Sequence, residues 1–159
     1  MIQKRAESSW TDRLAELGIV LPGVAASVAV YVPAVRSGAH VYTSGQLPFV
    51  DGDLPVTGKV GAQVSVEQAQ GLARTCALNA LAAVNGLVGL DSIVQVVRVV
   101  GFVASAEGFT GQSGVIDGAS ELLGEVFGDA GIHTRSAVGV AELPLGAPVE
   151  VEVTVEIAL

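Results

Sequence analysis

Aromatic side chains are scarce in this sequence: Phe, Trp and Tyr make up 4% of its 159 residues. Half of the residues are apolar, so the core has to be built from Val, Ala and Leu, which bury less area per side chain than Phe or Trp. Charged residues are few as well, at 15%. A chain this apolar is not disordered, and its length suits one domain with a core of its own rather than two. With so little polar exterior, part of its surface is expected to lie against other subunits.

Basic charge is the scarcer sign, with 8 Lys and Arg against 16 Asp and Glu and a net charge of −8. The basic residues are scattered singly. No concentrated face exists to track phosphates, which argues against nucleic acid as the main partner. A local cationic pocket for a small acid stays open, because net charge describes solubility better than it describes sites.

A single cysteine, Cys76, excludes an intramolecular disulfide and a cysteine-based metal cluster. It falls mid-helix near an apolar stripe and reads as core packing before it reads as a nucleophile. His40 and His133 are the only histidines, and neither has a second ligand at metal spacing. No phosphate loop is present: the glycines of Gly52 and Gly58-Lys59 are too far apart, and Val60 stands where Ser or Thr belongs. No dinucleotide glycine fingerprint follows a strand. After Lys4 and Arg5 the chain is polar and helical rather than an apolar leader, and the uncharged run from Ile19 to Val35 is broken by Pro22, Gly23 and Pro33. These features predict a cytoplasmic protein with no membrane partner and no metal.

The strongest pattern present is the C-terminal stretch Thr134 to Ile157, TRSAVGVAELPLGAPVEVEVTVEI. Its second half alternates strictly, with Val149, Val151, Val153, Val155 and Ile157 on one side and Glu150, Glu152, Thr154 and Glu156 on the other. A Pro/Gly turn separates it from a first strand that holds one Arg, Arg135.

Upstream, Thr11 to Leu17 is predicted as a short helix capped by Thr11 or Asp12, part of an N-terminal extension over residues 1–23. Val28 to Val35 and Val41 to Phe49 read as antiparallel strands turned at Arg36-Ser37-Gly38, with the next reversal at Asp51-Gly52. Leu54 to Val60 is a weak strand or a loop. Ser65 and Gln68 form a capping box that opens a long helix, and Ala69, Ala73, Ala77, Leu81, Val84 and Val88 supply its apolar stripe. Gly86 and Gly89 are expected to end it. Ile93 to Ala104 reads as a central strand covered on both faces. Ser113 to Phe127 is the second helix. The order implies an α+β sandwich, a mostly antiparallel sheet with two helices on one face. The other face is left for a second copy to cover.

Several residues are candidates for a site. A guanidinium at Arg135, with Ala137, Gly139 and Ala141 following on the same face, could grip a carboxylate with two parallel hydrogen bonds; it could equally pair with an exposed Glu. Glu150 is either a working carboxylate or one member of a solvated strand face. Thr43-Ser44-Gly45-Gln46 is an anion-holding corner or a plain strand-end turn. Tyr31, taken alone, is a packing residue. If the last two strands formed a simple hairpin, Arg135 would face residue 156 or so, on the order of 20 Å from Glu150 at about 3.3 Å per residue. The two can share a pocket only with a different pairing or with help from another subunit; an intersubunit site is favoured.

Taken together, Tyr31-Val32 ahead of Ser44, TSGQ at 43–46, GFV at 101–103, RSAVGV at 135–140 and LPLGAPVEVEV at 143–153 resemble the RidA family (YjgF/YER057c/UK114) of reactive-intermediate deaminases. The resemblance runs from about residue 24 to the end, over a domain 24–159, and the N-terminal helix is similar to that of a longer subgroup. It implies a chorismate-mutase-like fold (bacillus type) and a homotrimer whose sheets form an inner barrel. It implies a site in each intersubunit cleft that hydrolyses 2-imino or enamine acids to 2-keto acids and ammonia without a cofactor. By resemblance, Arg135 matches the carboxylate-binding Arg and Glu150 the acid that orients or activates water. Tyr31 matches a pocket tyrosine from the neighbouring subunit, and Ser44 and Gly45 match the pocket wall. Ala137 stands where many of these deaminases have Cys, and Ser113 or Asp117 where they have an Asn. The alternatives are a small-carboxylate-binding or stress-protective trimer without turnover and, further off, the endoribonuclease label that some relatives carry.

Overall fold

The computed structural model describes residues 8–24 and 29–159. Its regular elements are α1 (Trp10–Glu16), β1 (Ala34–Ser37), β2 (His40–Thr43), α2 (Val66–Val88), β3 (Ile93–Ala104), α3 (Gln112–Phe127), β4 (Thr134–Val140) and β5 (Val149–Ile157). The five strands form one sheet in the order β1-β2-β5-β3-β4. All neighbours are antiparallel except β3 and β4. The two long helices pack on one face, so the α+β reading holds.

The alternation in β5 is realised in full: every Val and the Ile are buried, and every Glu and the Thr are only partly so. Ile93 to Ala104 is a strand end to end and lies inside the sheet, between β5 and β4. Within the chain only one of its faces is covered, because Val96, Val99 and Val103 are buried while Gln95 and Arg98 are exposed. β4 and β5 are not a hairpin; β3 runs between them. The chain leaves β4 through a 3₁₀ turn at Pro144–Gly146 and re-enters the sheet one strand further in.

α2 starts at the capping box that Ser65 and Gln68 form. It is long and apolar enough by length and composition to cross a membrane, yet Ala69, Ala73, Cys76, Ala77, Ala80 and Val84 pack into the core of this fold. Gly89 ends it, whereas Gly86 lies within it. α3 begins at Gln112, one residue ahead of expectation, and packs tightly on α2. A methyl group on Gly118 would overlap the Gln70 carbonyl, and Gln70 Nε2 donates to Gly114 O at 2.8 Å. On the sheet side, Gly101 leaves room for Ile116. These two close approaches fix α3 above β3 and β4.

Elsewhere the sequence reading needs correction. α1 starts a residue earlier and is capped by Ser9, which forms the box with Asp12. Thr11 instead holds Asp91 through its amide and its hydroxyl, both at 2.9 Å. Trp10 ties α1 to β3 and α3: its Nε1 donates to Ile93 O at 2.8 Å and its ring meets Phe127 edge-on.

Residues 25–28, the start of the expected strand at Val28, lie outside the described residues. The strand itself begins at Ala34, just after Pro33, which has no N–H to give to a ladder. The reversal is at Gly38 and Ala39, where Gly38 takes φ 60°. β2 stops at Thr43 instead of running to Phe49. Between the pairs Tyr42↔Thr154 and Gln46↔Val151 one side advances four residues and the other three, so Ser44-Gly45 bulges out of the ladder. Asp51 and Gly52 both have positive φ, as that reversal requires. Leu54 to Val60 is loop, and Val60 meets the end of β3, its amide donating to Ala104 O at 2.8 Å.

Candidate functional site

Register assigns each candidate to a face. Val99 pairs with Arg135 on β4 and with Val153 on β5, and both valines are buried beneath the helices. Arg135 therefore points to the helix side. Phe102 pairs with Glu150, and that level belongs to the opposite, uncovered face together with Glu152. Arg135 and Glu150 thus lie on opposite faces of one sheet. They are also two strand spacings apart, about 10 Å, with about 10 Å more along the strands. A single chain does not bring them together.

Arg135 does not face open space, as its small neighbours on β4 had suggested. Its side chain is 24% exposed and lies against α3. Nη1 donates to Asp117 Oδ1 at 2.8 Å and to Ser120 Oγ at 3.2 Å, and Nη2 reaches Ser113 O at 3.4 Å. Asp117 and Ser120 are three residues apart on a helix and so share one side of it. Ser120 is in turn 2.9 Å from His133 Nε2, and His133 Nδ1 is 2.6 Å from Gly131 O. A carbonyl only accepts, so Nδ1 carries a proton, and in the neutral ring Nε2 accepts the Ser120 hydroxyl. The hydrogen bonds then run one way, from Arg135 to Ser120 to His133. Ala137, two residues on, packs against the rim of the core and pairs with Gly101.

The second corner is built round Glu150. A methyl group on Gly45 would overlap the Glu150 carboxyl, so the bulge at Ser44-Gly45 makes the space in which that side chain sits. Burial pushes the Glu150 carboxyl above the usual carboxylate range, and the charge of Glu152 adds to the shift. Behind it, Cys76 is fully buried with Sγ 3.7 Å from Val149 O. Burial first, then the Glu150 charge, raises its thiol well above the ordinary value. Core packing is its position, as expected.

Ser44 is not an anion donor in this conformation. Its hydroxyl donates to Val32 O at 2.6 Å and its amide to Pro33 O at 2.8 Å, which ties down the segment that follows Tyr31. Tyr31 is outside any strand and 54% exposed, at the β1 end of the sheet. Arg135 and Ala137 are at the β4 end. The chain therefore groups Glu150 with Gly45 and Ser44 and leaves Arg135 and Ala137 apart from them. Among the described residues no cluster of three or more His, Cys, Asp or Glu could hold a metal ion.

Ser120 and His133 were not legible as site residues. The available signal was spacing: His133 is two residues before Arg135 along the same chain direction, and Ser120 is one helical turn after Asp117.

A mixed five-stranded sheet with two helices on one face and a uniformly polar opposite face on β5 defines a chorismate-mutase-like fold. The family model described as "YjgF/chorismate mutase-like, putative endoribonuclease" matches residues 11–157. The chain belongs to this family. Protein TCP17 of Trypanosoma cruzi is 46% identical over 146 residues, covering 91% of each chain. A protein of unknown function from Agrobacterium tumefaciens is 44% identical, with a TM-score of 0.85 over 95% of this chain and 93% of its own. A structure titled as a putative endoribonuclease from Shewanella oneidensis is 33% identical, with a TM-score of 0.90 over 94% of this chain and 99% of its own. The family model's match begins within α1 and takes in most of that helix.

Proposed function

We propose that the protein hydrolyses 2-imino or enamine acids to 2-keto acids and ammonia, at a cleft between subunits of a homotrimer, without a cofactor. The observation that carries this reading is Arg135: it is part-buried and oriented by three groups of α3, and it keeps Nε and one Nη2 hydrogen without a partner among the described residues. That edge suits a carboxylate held by two parallel hydrogen bonds. Glu150 supplies the proton chemistry. Its raised pKa brings a carboxyl toward the pH at which it can both take and give a proton.

An imine carbon is electrophilic, so a positioned water and one carboxyl suffice. Water adds to the C=N carbon, Glu150 shuttles the proton to nitrogen, and the C–N bond breaks to release ammonia and leave the carbonyl. Because Arg135 and Glu150 lie on opposite faces, the proposed site joins Arg135 of one protomer to Glu150, with Gly45, of its neighbour. Tyr31 adjoins that second group along the chain, through Val32, whose carbonyl accepts the Ser44 hydroxyl. The uncovered sheet face supports assembly: Val138 is 45% exposed there, beside the partly buried Val100 and Phe102.

The test is a coupled assay with freshly generated 2-iminobutanoate, following 2-oxobutanoate. Acceleration over buffer that Arg135→Ala removes is the expected result. A second reading, carboxylate binding without turnover, is favoured by the Asp117 carboxylate already seated on Arg135. Ligand binding with no acceleration would select it. RNA cleavage, the activity in the family description, fits poorly with a net charge of −8. Light scattering tests the trimer, and a stable monomer would refute it.

A further inference from the structure

We propose that the proton on His133 sets the charge of the Arg135 corner, so that the acid grip tightens as the histidine becomes charged. The inference rests on Arg135 as the carboxylate site proposed above. It adds a positioning residue that acts through Ser120 and touches no ligand itself.

Two observations support it. The first is charge: Asp117 Oδ1 lies 2.8 Å from Arg135 Nη1, so the pair brings one positive and one negative charge to the corner. These cancel, and a ligand carboxylate on the free Nε and Nη2 edge meets a cation that is already paired. The second is connection. His133 Nε2 is 2.9 Å from Ser120 Oγ, and Ser120 Oγ is 3.2 Å from Arg135 Nη1. One hydroxyl therefore separates the imidazole from the guanidinium.

In the neutral ring, Nδ1–H goes to Gly131 O and Nε2 accepts from Ser120. Once Nε2 is protonated it donates to the same hydroxyl, whose two lone pairs serve both cations while its own hydrogen turns away. The positions of the groups survive and the corner gains a positive charge. The ionisable side chains on the adjoining elements leave that charge standing. Asp117 is held by Arg135 and Glu125 by Arg74, while Glu121 and Asp129 are exposed to screening solvent. Arg98 of β3 lies on the opposite face, bonded to Ser136. Histidine is the side chain that takes up its charge near neutral pH. At about 8–11 Å from the bound carboxylate, one added charge gives a several-fold gain in affinity at low ionic strength.

The experiment is calorimetric titration of the full chain with 2-oxobutanoate, in low salt, from about pH 8.5 to about pH 5.5. It compares the wild type with His133→Gln and Arg135→Ala. Glutamine keeps a partner for Ser120 and takes up no charge. The wild type is expected to bind about three- to tenfold more tightly at the acid end, and His133→Gln to lose that gain. The Glu150 carboxyl contributes equally to both proteins, so the difference between them reads His133. By reciprocity, 2-oxobutanoate should raise the midpoint of one imidazole titration in the wild type by about half to one unit, followed by proton NMR and assigned with His40→Gln. Wild-type affinity that does not rise on acidification, or a rise that His133→Gln retains, overturns the inference and leaves the carboxylate site standing. Absence of binding, or binding that Arg135→Ala does not weaken, overturns the carboxylate site itself and the inference with it. The imidazole titration decides the matter even if His133→Gln fails to fold.

Discussion

The two corners of this sheet hold their charges in different ways. At the β4 edge, Arg135 is surrounded by partners: an aspartate, a hydroxyl and a carbonyl, all from α3. At the start of β5, Glu150 has space where a side chain is missing, the bulged Gly45, and a buried thiol behind it. The first corner is organised by hydrogen bonds. The second is organised by desolvation and leans toward neutrality. A fixed cation suits binding and a carboxyl with a raised pKa suits proton transfer, so the contrast divides the labour before any neighbour arrives.

The sharpest way to break this division is Glu150→Gln. If Glu150 carries the proton, turnover falls by about 10²–10⁴ while the affinity for 2-aminobutanoate holds, as steady-state kinetics beside calorimetry will show. Arg135→Ala should do the reverse, weakening acid binding by about 10²-fold or more with light scattering unchanged from the wild type, since it removes a charged partner worth several kcal/mol. Ser120→Ala or His133→Ala, which only loosen the guanidinium, should cost a few-fold in affinity with little change in turnover at saturation.

Stability separates the corners too. A carboxyl whose folded pKa is raised favours folding in its protonated form, fully so below the unfolded value, and that contribution is lost as pH rises through the folded pKa. Glu150→Gln should therefore raise the Tm at neutral pH, and the gain should vanish on acidification below the ordinary carboxylate range; thermal melts across pH check the sign. Asp117→Asn should change the Tm least, because a part-exposed ion pair contributes about 0–1 kcal/mol.

Elements whose signal is local were legible in the sequence. The β5 alternation, the Ser65 capping box and the apolar run of β3 each fix their own conformation through side chains a few residues apart. The residues on which the family resemblance rested also pointed to the right fold. What escaped were features set by chain crossing or by omission. Pro33 delays β1, and the bulge at Ser44-Gly45 ends β2, yet neither residue announces how far its effect extends. The separation of Arg135 from Glu150 depends on β3 entering between β4 and β5, which no short window encodes. Asp117 had been singled out for another reason, as a stand-in for an asparagine. Its ion pair with Arg135 emerged only once α3 was placed over β4.

The parallel pairing of β3 with β4 carries a consequence for how this protein can change over generations. Arg135 reaches α3 because the short link from Phe127 to Thr134 sets its parity on β4. A one-residue shift of β4 against β3 would turn the arginine to the uncovered face of the sheet while leaving the buried valines of β3 and β5 in place. A lineage could thus silence its acid grip in one step and keep the scaffold whole.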